Sequence, residues 1–454
     1  MLRKDYLLNR ARLSAFFCYS GSALARIGFF CRIDSRFPGH YHKCNAQDVF
    51  GLSIFGEGDL EVQVKYRPTH AEIDLDMLDA NYNALRNRLP QDMKLLACVK
   101  ANAYGHGAVP VARELERIGA DYLSVAFLDE ALELRNAGIK LPILVLGYTP
   151  PHGVRTAWEH NITLNVFSDE VLEAIRSLDP SMFPHKLKIH IKIDSGMGRV
   201  GLLPGDGVVA FVRKAMEIPQ VEVEGMFTHY ATADEEDKNY TLEQYRRFQG
   251  VVDALREHEI SIPIIHTGNS AIAIDLPELS IHMVRIGIAL YGLYPSDQVR
   301  KDEVELHPIM SLKTEVVWVK TLPPHSAISY GARYITEGEE RIGTLPIGYA
   351  DGYSRMLGGK AQVLIRGRRV PVVGTICMDQ CMVSLQALAE EAEEIQVGEE
   401  VVLIGRQSGE EITAGELASA LGTIHYELVC MLAHRIPRVY KHKGKPDVLV
   451  NPLL

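Results

Sequence analysis

Lys100 is the residue whose position first indicates chemistry, because it ends a predicted strand within the run CVKANAYGHG. Where strands and helices alternate in a barrel, reactive groups lie at the carboxyl ends of the strands. A lysine amine there can form a Schiff base with a carbonyl cofactor. Gly105 and Gly107 permit a tight turn, and the phenol of Tyr104 can donate to a nearby oxyanion. Position alone still favours an ordinary strand-end lysine, so the decision depends on the rest of the chain.

The elements that would position Lys100 are short apolar strands alternating with amphipathic helices, as far as about residue 305. MKLLACVK (93–100) predicts a strand and VPVARELERIG (109–119) a helix. Further helices are predicted near 77–88, 129–138, 168–178, 206–217 and 240–258. Near-continuous apolar strands are typical of a parallel sheet covered by helices. Eight such units in roughly 240 residues match a (β/α)8 TIM-type barrel, and a doubly wound sheet is the alternative.

The pattern changes near residue 305, where strand follows strand with almost no helix. This predicts a mostly antiparallel β domain distinct from the barrel. One helix is predicted at 413–421, with Thr413 as its N-cap. The predicted α/β organisation is an extension over 1–62, a barrel over 63–305 whose first strand could join the β domain, and a C-terminal β domain over 306–454.

The composition excludes several classes of function. The 454 residues carry a net charge of −10, with 47% hydrophobic and 23% charged residues, as in a soluble globular protein. The negative charge argues against nucleic-acid binding, which needs a basic surface. No run of about 18 apolar residues is present to span a membrane. Seven irregularly spaced cysteines indicate free thiols in a reducing compartment, and we predict no metal site.

The first 62 residues lie outside the regular pattern, and we expect them to be a poorly ordered extension. A basic start followed by LSAFFCYSGSALA has the outline of a secretory signal with a small-residue cleavage site. Polar residues interrupt its apolar core, so we predict a cytoplasmic protein. Export is the alternative if residues 1–25 are a signal, and an over-long start or a functional extension would also account for the segment.

A series of segments resembles alanine racemases and occurs in that family's order from about residue 64 to the C-terminus. The segments are ACVKANAYGHG, KIDSGMGRVG, FTHYATAD, HTGNSA, VRIGIALYG, SYGARY, PIGYADG, CMDQ and HYEL. Members of this family are two-domain enzymes whose barrel carries pyridoxal phosphate. The resemblance implies an isomerase that interconverts L-alanine and D-alanine and supplies D-alanine for peptidoglycan.

The resemblance also assigns the cofactor site, residue by residue. Lys100 would be the Schiff-base lysine, Arg285 would face the pyridine nitrogen, and His229 would lie against the cofactor ring. The other cofactor-binding residues would be Tyr104, Ser270, Gly287, Ile288 and Tyr426. The backbone amides of Gly287 and Ile288 can bind a phosphate as an anion site.

The substrate site follows from the same resemblance. Arg199 and the backbone amide of Met378 would fix the carboxylate of alanine, while Tyr349 and Tyr426 would narrow the entrance. Lys192 matches a lysine that is often carbamylated in the family and that steers the arginine. Discrimination of one methylene in an apolar pocket is worth only about 1–3 kcal/mol, so slow turnover of serine is expected.

Racemisation needs a base on each face of the planar intermediate, and the resemblance assigns both. Lys100 would act on D-alanine and Tyr330 on L-alanine. A tyrosine has an ordinary pKa of about 10, so as a base it needs a cationic environment, which the family provides through His229 and Arg285. In the family the two bases come from different chains, which implies a head-to-tail homodimer with shared active sites.

Three other functions are compatible with parts of the pattern. A broad-specificity amino-acid racemase would share the two-domain plan. An amino-acid decarboxylase would carry a cysteine-centred motif in place of SYGARY, and the sequence has none. A non-catalytic protein that binds pyridoxal phosphate would be a barrel alone, without the β domain.

Overall fold

The computed structural model describes residues 30–31, 42–43 and 65–454. The chain divides into two units, Met1–Val62 and Gln63–Leu454. In the first unit, Phe30–Cys31 pairs with His42–Lys43 in an antiparallel arrangement. The candidate signal at 1–25 and most of the expected extension lie outside the described residues. Within the described part of the chain, no helix is both long and apolar enough to cross a membrane.

Eight parallel strands of the second unit close into a barrel. Each strand pairs with its neighbour in sequence, and Met283–Ile286 closes the barrel against Lys94–Cys98. The strands between them are Tyr122–Val125, Ile143–Val145, Thr163–Val166, Leu187–Lys192, Val221–Phe227 and Ile264–His266. Closure confirms the predicted (β/α)8 barrel and excludes the doubly wound sheet.

Amphipathic helices cover the outside of the barrel, close to the predicted bounds. Asp169–Arg176, for example, buries Val171, Leu172 and Ile175 on one face, as the spacing of its apolar residues requires. The helices of the barrel part are Leu75–Arg88, Ala108–Arg117, Leu128–Asn136, Val154–Glu159, Asp169–Arg176, Gly207–Met216, Asn239–Glu257 and Ser270–Asp275. The helical segment Lys100–Tyr104 is of a different kind and belongs to the site.

Eleven further strands of the second unit form a mostly antiparallel sheet. Its path runs through Trp318–Leu322, Glu340–Leu345, Cys381–Ser384, Arg368–Val373, Gln362–Ile365, Glu400–Gln407, Met310–Glu315, His70–Asp74, Arg438–Lys441 and Val448–Val450, with Glu410–Ile412 beside Glu400–Gln407. His70–Asp74 precedes the barrel in sequence but lies in this sheet, parallel to Arg438–Lys441. A separate hairpin joins Ala327–Ile328 to Tyr334–Ile335.

Two helices accompany the sheet, Ala414–Leu421 and His425–Cys430. The first confirms the prediction at 413–421, because the side chain of Thr413 accepts a hydrogen bond from the N–H of Glu416 at 3.0 Å. Gly422, at φ 75°, ends the helix in the left-handed conformation, which a residue without a Cβ adopts at little cost.

We predict that Thr413→Ala increases hydrogen exchange in the helix Ala414–Leu421, because one N–H of its first turn loses its acceptor. Loss of such a cap costs about 1 kcal/mol, or roughly fivefold in local opening. Exchange of peptides covering 414–421, measured by mass spectrometry, tests this. Thr413→Ser keeps the hydroxyl and serves as the control. Equal exchange in both variants would show that the cap contributes nothing.

Candidate active site

Lys100 lies at the carboxyl end of the barrel, two residues beyond the strand Lys94–Cys98. The predicted strand at 93–100 is therefore too long, and a turn begins at Lys100 instead. Ala101–Tyr104 all have positive φ angles, between 51° and 55°. A left-handed conformation costs roughly 1–2 kcal/mol for each residue with a Cβ, so this turn requires support from its surroundings.

The surroundings hold the turn at both ends. The N–H of Ala101 donates to Glu130 at 2.6 Å, and the side chain of Asn102 accepts from Ala108 at 2.8 Å. From the β domain, the guanidinium of Arg438 donates to the carbonyl of Gly105. The sheet therefore fixes the backbone that follows the reactive lysine.

Tyr440 and Gly107 complete this support. The hydroxyl of Tyr440 donates to the carbonyl of His106 at 3.0 Å. A Cβ on Gly107 would meet that hydroxyl, so only glycine leaves room for the contact. The sequence analysis does not predict a role for Arg438 or Tyr440. Their strand contains no recognisable motif, and nothing in it indicates a contact with residues about 330 positions earlier in the chain.

Donor groups converge beside Lys100 at the ends of two neighbouring strands. The N–H of Gly287 donates to the hydroxyl oxygen of Ser270 at 3.0 Å, which leaves the hydroxyl proton of Ser270 for another acceptor. The hydroxyl of Tyr104 lies so close that a Cβ on Gly287 would be 2.5 Å from it. Ile288 begins a 3-10 turn, whose first N–H groups have no partner within the turn. Such a set of donors suits an anion such as phosphate.

Tyr104 remains a donor because it is protonated. Burial raises its pKa well above the ordinary value, with a further contribution from nearby Cys98 and Tyr291. Its ring lies 5.0 Å from the ring of Tyr291 and 6.3 Å from that of Tyr426, centroid to centroid. The Nζ of Lys100 lies 6.0 Å from the centroid of the Tyr104 ring. We call the donor groups of Tyr104, Ser270, Gly287 and Ile288 the anion cradle. Lys100, the anion cradle and Tyr426 therefore form one cluster.

Arg285 lies on the strand Met283–Ile286, next to the strand that leads to Lys100, and is almost completely buried. Its guanidinium donates to Nδ1 of His266 at 2.9 Å and to Nδ1 of His229 at 3.1 Å. It also donates to the carbonyls of Thr228 and Thr267 at 2.8 and 3.0 Å. Burial lowers the pKa of Arg285 to about 10, so it is still a cation at neutral pH.

His229 is neutral beside this cation. Burial, followed by the charge of Arg285, lowers the pKa of His229 well below its ordinary value. Because Arg285 has no acceptor atom, Nδ1 of His229 must accept, and the ring proton is on Nε2. His229 can therefore donate a hydrogen bond from Nε2.

Lys192 and Arg199 lie near Arg285. The Nζ of Lys192 is buried and donates to the carbonyl of Ile193 at 2.7 Å. Burial, then the charge of Arg285, lowers the pKa of Lys192 to about 7. Arg199 is exposed, and its backbone N–H donates to Asp194 at 3.0 Å. Its charge still reaches the cluster, since it contributes to the lowered pKa of Lys192.

Tyr330, Tyr349 and Met378 lie together on loops of the β domain. The carbonyl of Tyr330 accepts from the hydroxyl of Thr375, and the carbonyl of Met378 accepts from Ala350, next to Tyr349. Tyr330 is 71% exposed. In the part of the chain that the structure describes, no hydrogen bond or ring contact joins its side chain to Lys100 or His229. The loops that carry Tyr330, Tyr349 and Met378 form a second group of candidate residues, which we call the second half-site.

A buried carboxylate missed in the sequence holds the loops of this second half-site. Asp351 accepts from Arg67 at 2.9 Å, from Arg435 at 2.8 Å and from the N–H of Gly348 at 3.0 Å. Arg435 also donates to Asp379 at 2.7 Å. Both aspartates belong to the motifs PIGYADG and CMDQ, but nothing near those motifs indicates their arginine partners.

Comparison with known proteins supports this arrangement. The family model described as the N-terminal domain of alanine racemase matches residues 73–295, and the C-terminal domain model matches residues 309–440. An alanine racemase of Clostridium perfringens is 44% identical over 385 residues, which cover 85% of this chain and 98% of that protein. One from Methanococcus maripaludis is 47% identical over 375 residues, covering 83% and 99%.

Solved structures give the same result. An alanine racemase from Clostridium difficile has a TM-score of 0.81 at 44% identity, covering 86% of this chain and 100% of that one. The structure of alanine racemase from Bacillus anthracis with bound L-Ala-P has a TM-score of 0.81 at 42% identity, covering 86% and 99%. A closed barrel with a lysine and an anion cradle at its mouth, joined to a β sheet, defines a class of two-domain barrel enzymes. Within that class, the chain belongs to the alanine racemase family, as its motifs predicted.

We predict that Gly287→Ala lowers the Tm, because the new methyl group would lie 2.5 Å from the hydroxyl oxygen of Tyr104 inside a packed core. Overpacking of this kind costs about 1–3 kcal/mol. Adding Tyr104→Phe removes the hydroxyl oxygen, so the double variant should recover part of the Tm lost in Gly287→Ala. Gly250→Ala, at a helical position where a Cβ meets nothing within 4 Å, is the matched control. A Gly287→Ala protein with unchanged Tm would contradict the tight cradle.

Proposed function

We propose that this protein interconverts L-alanine and D-alanine with pyridoxal phosphate bound at Lys100, and so supplies D-alanine for peptidoglycan. The observation that carries the proposal is the cluster at the barrel mouth, where Lys100 lies beside an anion cradle and both Lys100 and the buried cation of Arg285 lie near His229. Family membership makes alanine the expected substrate.

The cluster fits the chemistry of pyridoxal phosphate. Tyr104, Ser270, Gly287 and Ile288 would hold the phosphate, because they bring hydroxyl and amide donors close together. Lys100 would anchor the carbonyl carbon, and Arg285 would face the ring nitrogen. When bound, the cofactor supplies the electron sink that allows an amino acid to lose its α-proton.

Two side chains would move that proton. The amine of Lys100 would take it from, or return it to, the D face of the substrate, and the phenol of Tyr330 would serve the L face. The cation of Arg285 would act on the phenol through His229, whose Nε2–H is directed away from Arg285. Donation from that N–H favours the deprotonated phenol, which is the form that can act as a base.

The two half-sites support a head-to-tail homodimer. The exposure of Tyr330 is explained if a second copy brings its own Tyr330 to this barrel mouth. Closed two-fold pairing then completes two sites per dimer. Tyr349 and Met378 share the loops of Tyr330 and would reach the same site, with Met378 and Arg199 binding the carboxylate.

Selectivity for alanine would come from the entrance. Tyr349 and Tyr426 would narrow it around the methyl group, and burial raises the pKa of Tyr426, which keeps that phenol neutral. We further propose that the protein acts in the cytoplasm, and that residues 63–305 and 306–454 are its two domains, with the strand His70–Asp74 joined to the second.

We predict that Lys100→Ala and Tyr330→Phe each abolish formation of D-alanine from L-alanine, and that mixing the two inactive proteins restores it. A mixed dimer has one site with neither change, so random exchange should recover about a quarter of the wild-type activity. D-alanine would be measured by chiral chromatography with added pyridoxal phosphate.

The control for this mixture is Lys100→Ala mixed with the double variant Lys100→Ala/Tyr330→Phe. No site in that mixture retains the lysine, so it should stay inactive at the same degree of subunit exchange. If exchange is verified and the first mixture also stays inactive, the sites are not shared between chains. If the wild-type protein forms no D-alanine, the proposed function itself is wrong.

We predict that Lys192 forms a carbamate, because its pKa of about 7 leaves a large neutral fraction and only the neutral amine attacks CO2. With dissolved CO2 held constant, a carbamate signal in ¹³C NMR should grow between about pH 6 and 8, as the amine loses its proton. Lys192→Gln should remove the signal. Lys188→Gln, which changes a lysine of the same strand, should keep it. A signal indifferent to Lys192→Gln would refute the assignment.

A further inference from the structure

Three polar side chains inside the barrel have no part in the function described so far. His190, Glu224 and His266 lie on neighbouring strands, and all three are buried. Nδ1 of His190 lies 2.8 Å from Nε2 of His266, and Nε2 of His190 lies 3.1 Å from Oε2 of Glu224. Since His266 also contacts Arg285, the three side chains form one continuous row that ends at the guanidinium.

The backbone makes room for this row. The pairing of the strands Leu187–Lys192 and Val221–Phe227 shifts register between Ile189 and His190. Opposite the shift lies Gly225, where a Cβ would be 2.6 Å from atoms of the His190 ring. Any other residue at 225 would displace that ring.

The direction of every hydrogen bond in the row is fixed by its ends. Arg285 can only donate, so Nδ1 of His266 accepts and its proton is on Nε2. That proton is donated to Nδ1 of His190, whose own proton is therefore on Nε2. The row ends at the carboxylate of Glu224, which accepts. Burial raises the pKa of Glu224, but hydrogen bonds from His190 and Lys188 outweigh it and lower the pKa to about 2, so the carboxylate is ionised.

The far end of the row is anchored separately. The other carboxylate oxygen, Oε1, accepts from Lys188 at 2.6 Å and from the hydroxyl of Tyr122 at 3.0 Å. Among the described residues, no carboxylate lies within ion-pair distance of Arg285. Glu224 is thus the anion to which the buried guanidinium is connected, at a distance of two imidazole rings.

We propose that Glu224, His190 and His266 are positioning residues that hold Arg285 in the orientation in which it donates to His229. The inference rests on the proposed function, since it concerns how His229 comes to present its Nε2–H to the catalytic tyrosine. If every hydrogen bond in the row ran in the opposite direction, the Nδ1–H of His266 would point at an N–H of Arg285. Two donors would then face each other, and Arg285 would have to turn away.

The first test is neutron diffraction of the wild-type holoenzyme near neutral pH. The ring hydrogens of His190 and His266 should both be on Nε2. A hydrogen on Nδ1 of either residue overturns the proposal. This result does not depend on catalytic activity, so it can be distinguished from a failure of the proposed function, which would appear as a wild-type protein that forms no D-alanine.

The second test uses Glu224→Gln. Lys188 can only donate, so it should draw the amide oxygen of the new side chain toward itself and turn the amide NH2 toward His190. That orientation reverses the direction of every hydrogen bond in the row. We expect kcat to fall about tenfold or more, as for a buried donor left without an acceptor. The KM for alanine should change little, because the row does not touch the substrate.

A second change should rescue this variant. In Glu224→Gln/Lys188→Met the competing donor is gone, so the amide oxygen can face His190 again, and kcat should return to within about threefold of Lys188→Met alone. Tyr122→Phe is the matched control. It removes a hydrogen bond to the Glu224 carboxylate that is not one of the hydrogen bonds of the row, so this variant should behave as wild type. If Glu224→Gln has the wild-type kcat, or if Lys188→Met fails to rescue it, the proposal is wrong.

Discussion

The buried charge of Arg285 is the constraint on which the rest of the site depends. A guanidinium inside a barrel loses its hydration, a cost of several kcal/mol unless other groups replace the water. Here carbonyl oxygens of Thr228 and Thr267 and two imidazole nitrogens replace it. The polar side chains within otherwise apolar strands are therefore explained by the cation they surround. In return, the cation adds to the effect of burial in keeping His229 neutral, and it fixes which of the ring nitrogens carries the proton.

The second constraint is the backbone after Lys100. Four consecutive residues in the left-handed conformation would not persist in an isolated strand-to-helix connection. Arg438 and Tyr440 hold this turn from the sheet, through the carbonyls of Gly105 and His106. The β domain consequently acts on the site twice. It stabilises the lysine turn of its own barrel, and it carries the exposed Tyr330 for what we propose is another chain's barrel.

The sequence was sufficient for the architecture, because helices and strands are set by local periodicity that the chain displays clearly. The helix at 413–421 and six of the barrel helices were predicted within one or two residues, whereas the short helices Val154–Glu159 and Ser270–Asp275 were not predicted. The left-handed turn could not be predicted, since Ala101 and Ala103 carry no signal for positive φ. Likewise, His190 and His266 stand within runs that predict only apolar strands. Their role depends on which side chains come together when the barrel closes, and the local sequence does not indicate these contacts.

The central claim is that two bases on opposite faces of the substrate carry out the reaction. It is tested most directly by following L-alanine in D₂O through the first turnovers, with the α-hydrogen content of both enantiomers determined by mass spectrometry. Delivery from a second, solvent-exchanged base predicts that the D-alanine formed carries deuterium at its α-carbon from the beginning. D-alanine that retains the substrate's own α-hydrogen would mean that one base serves both faces, and would contradict the account.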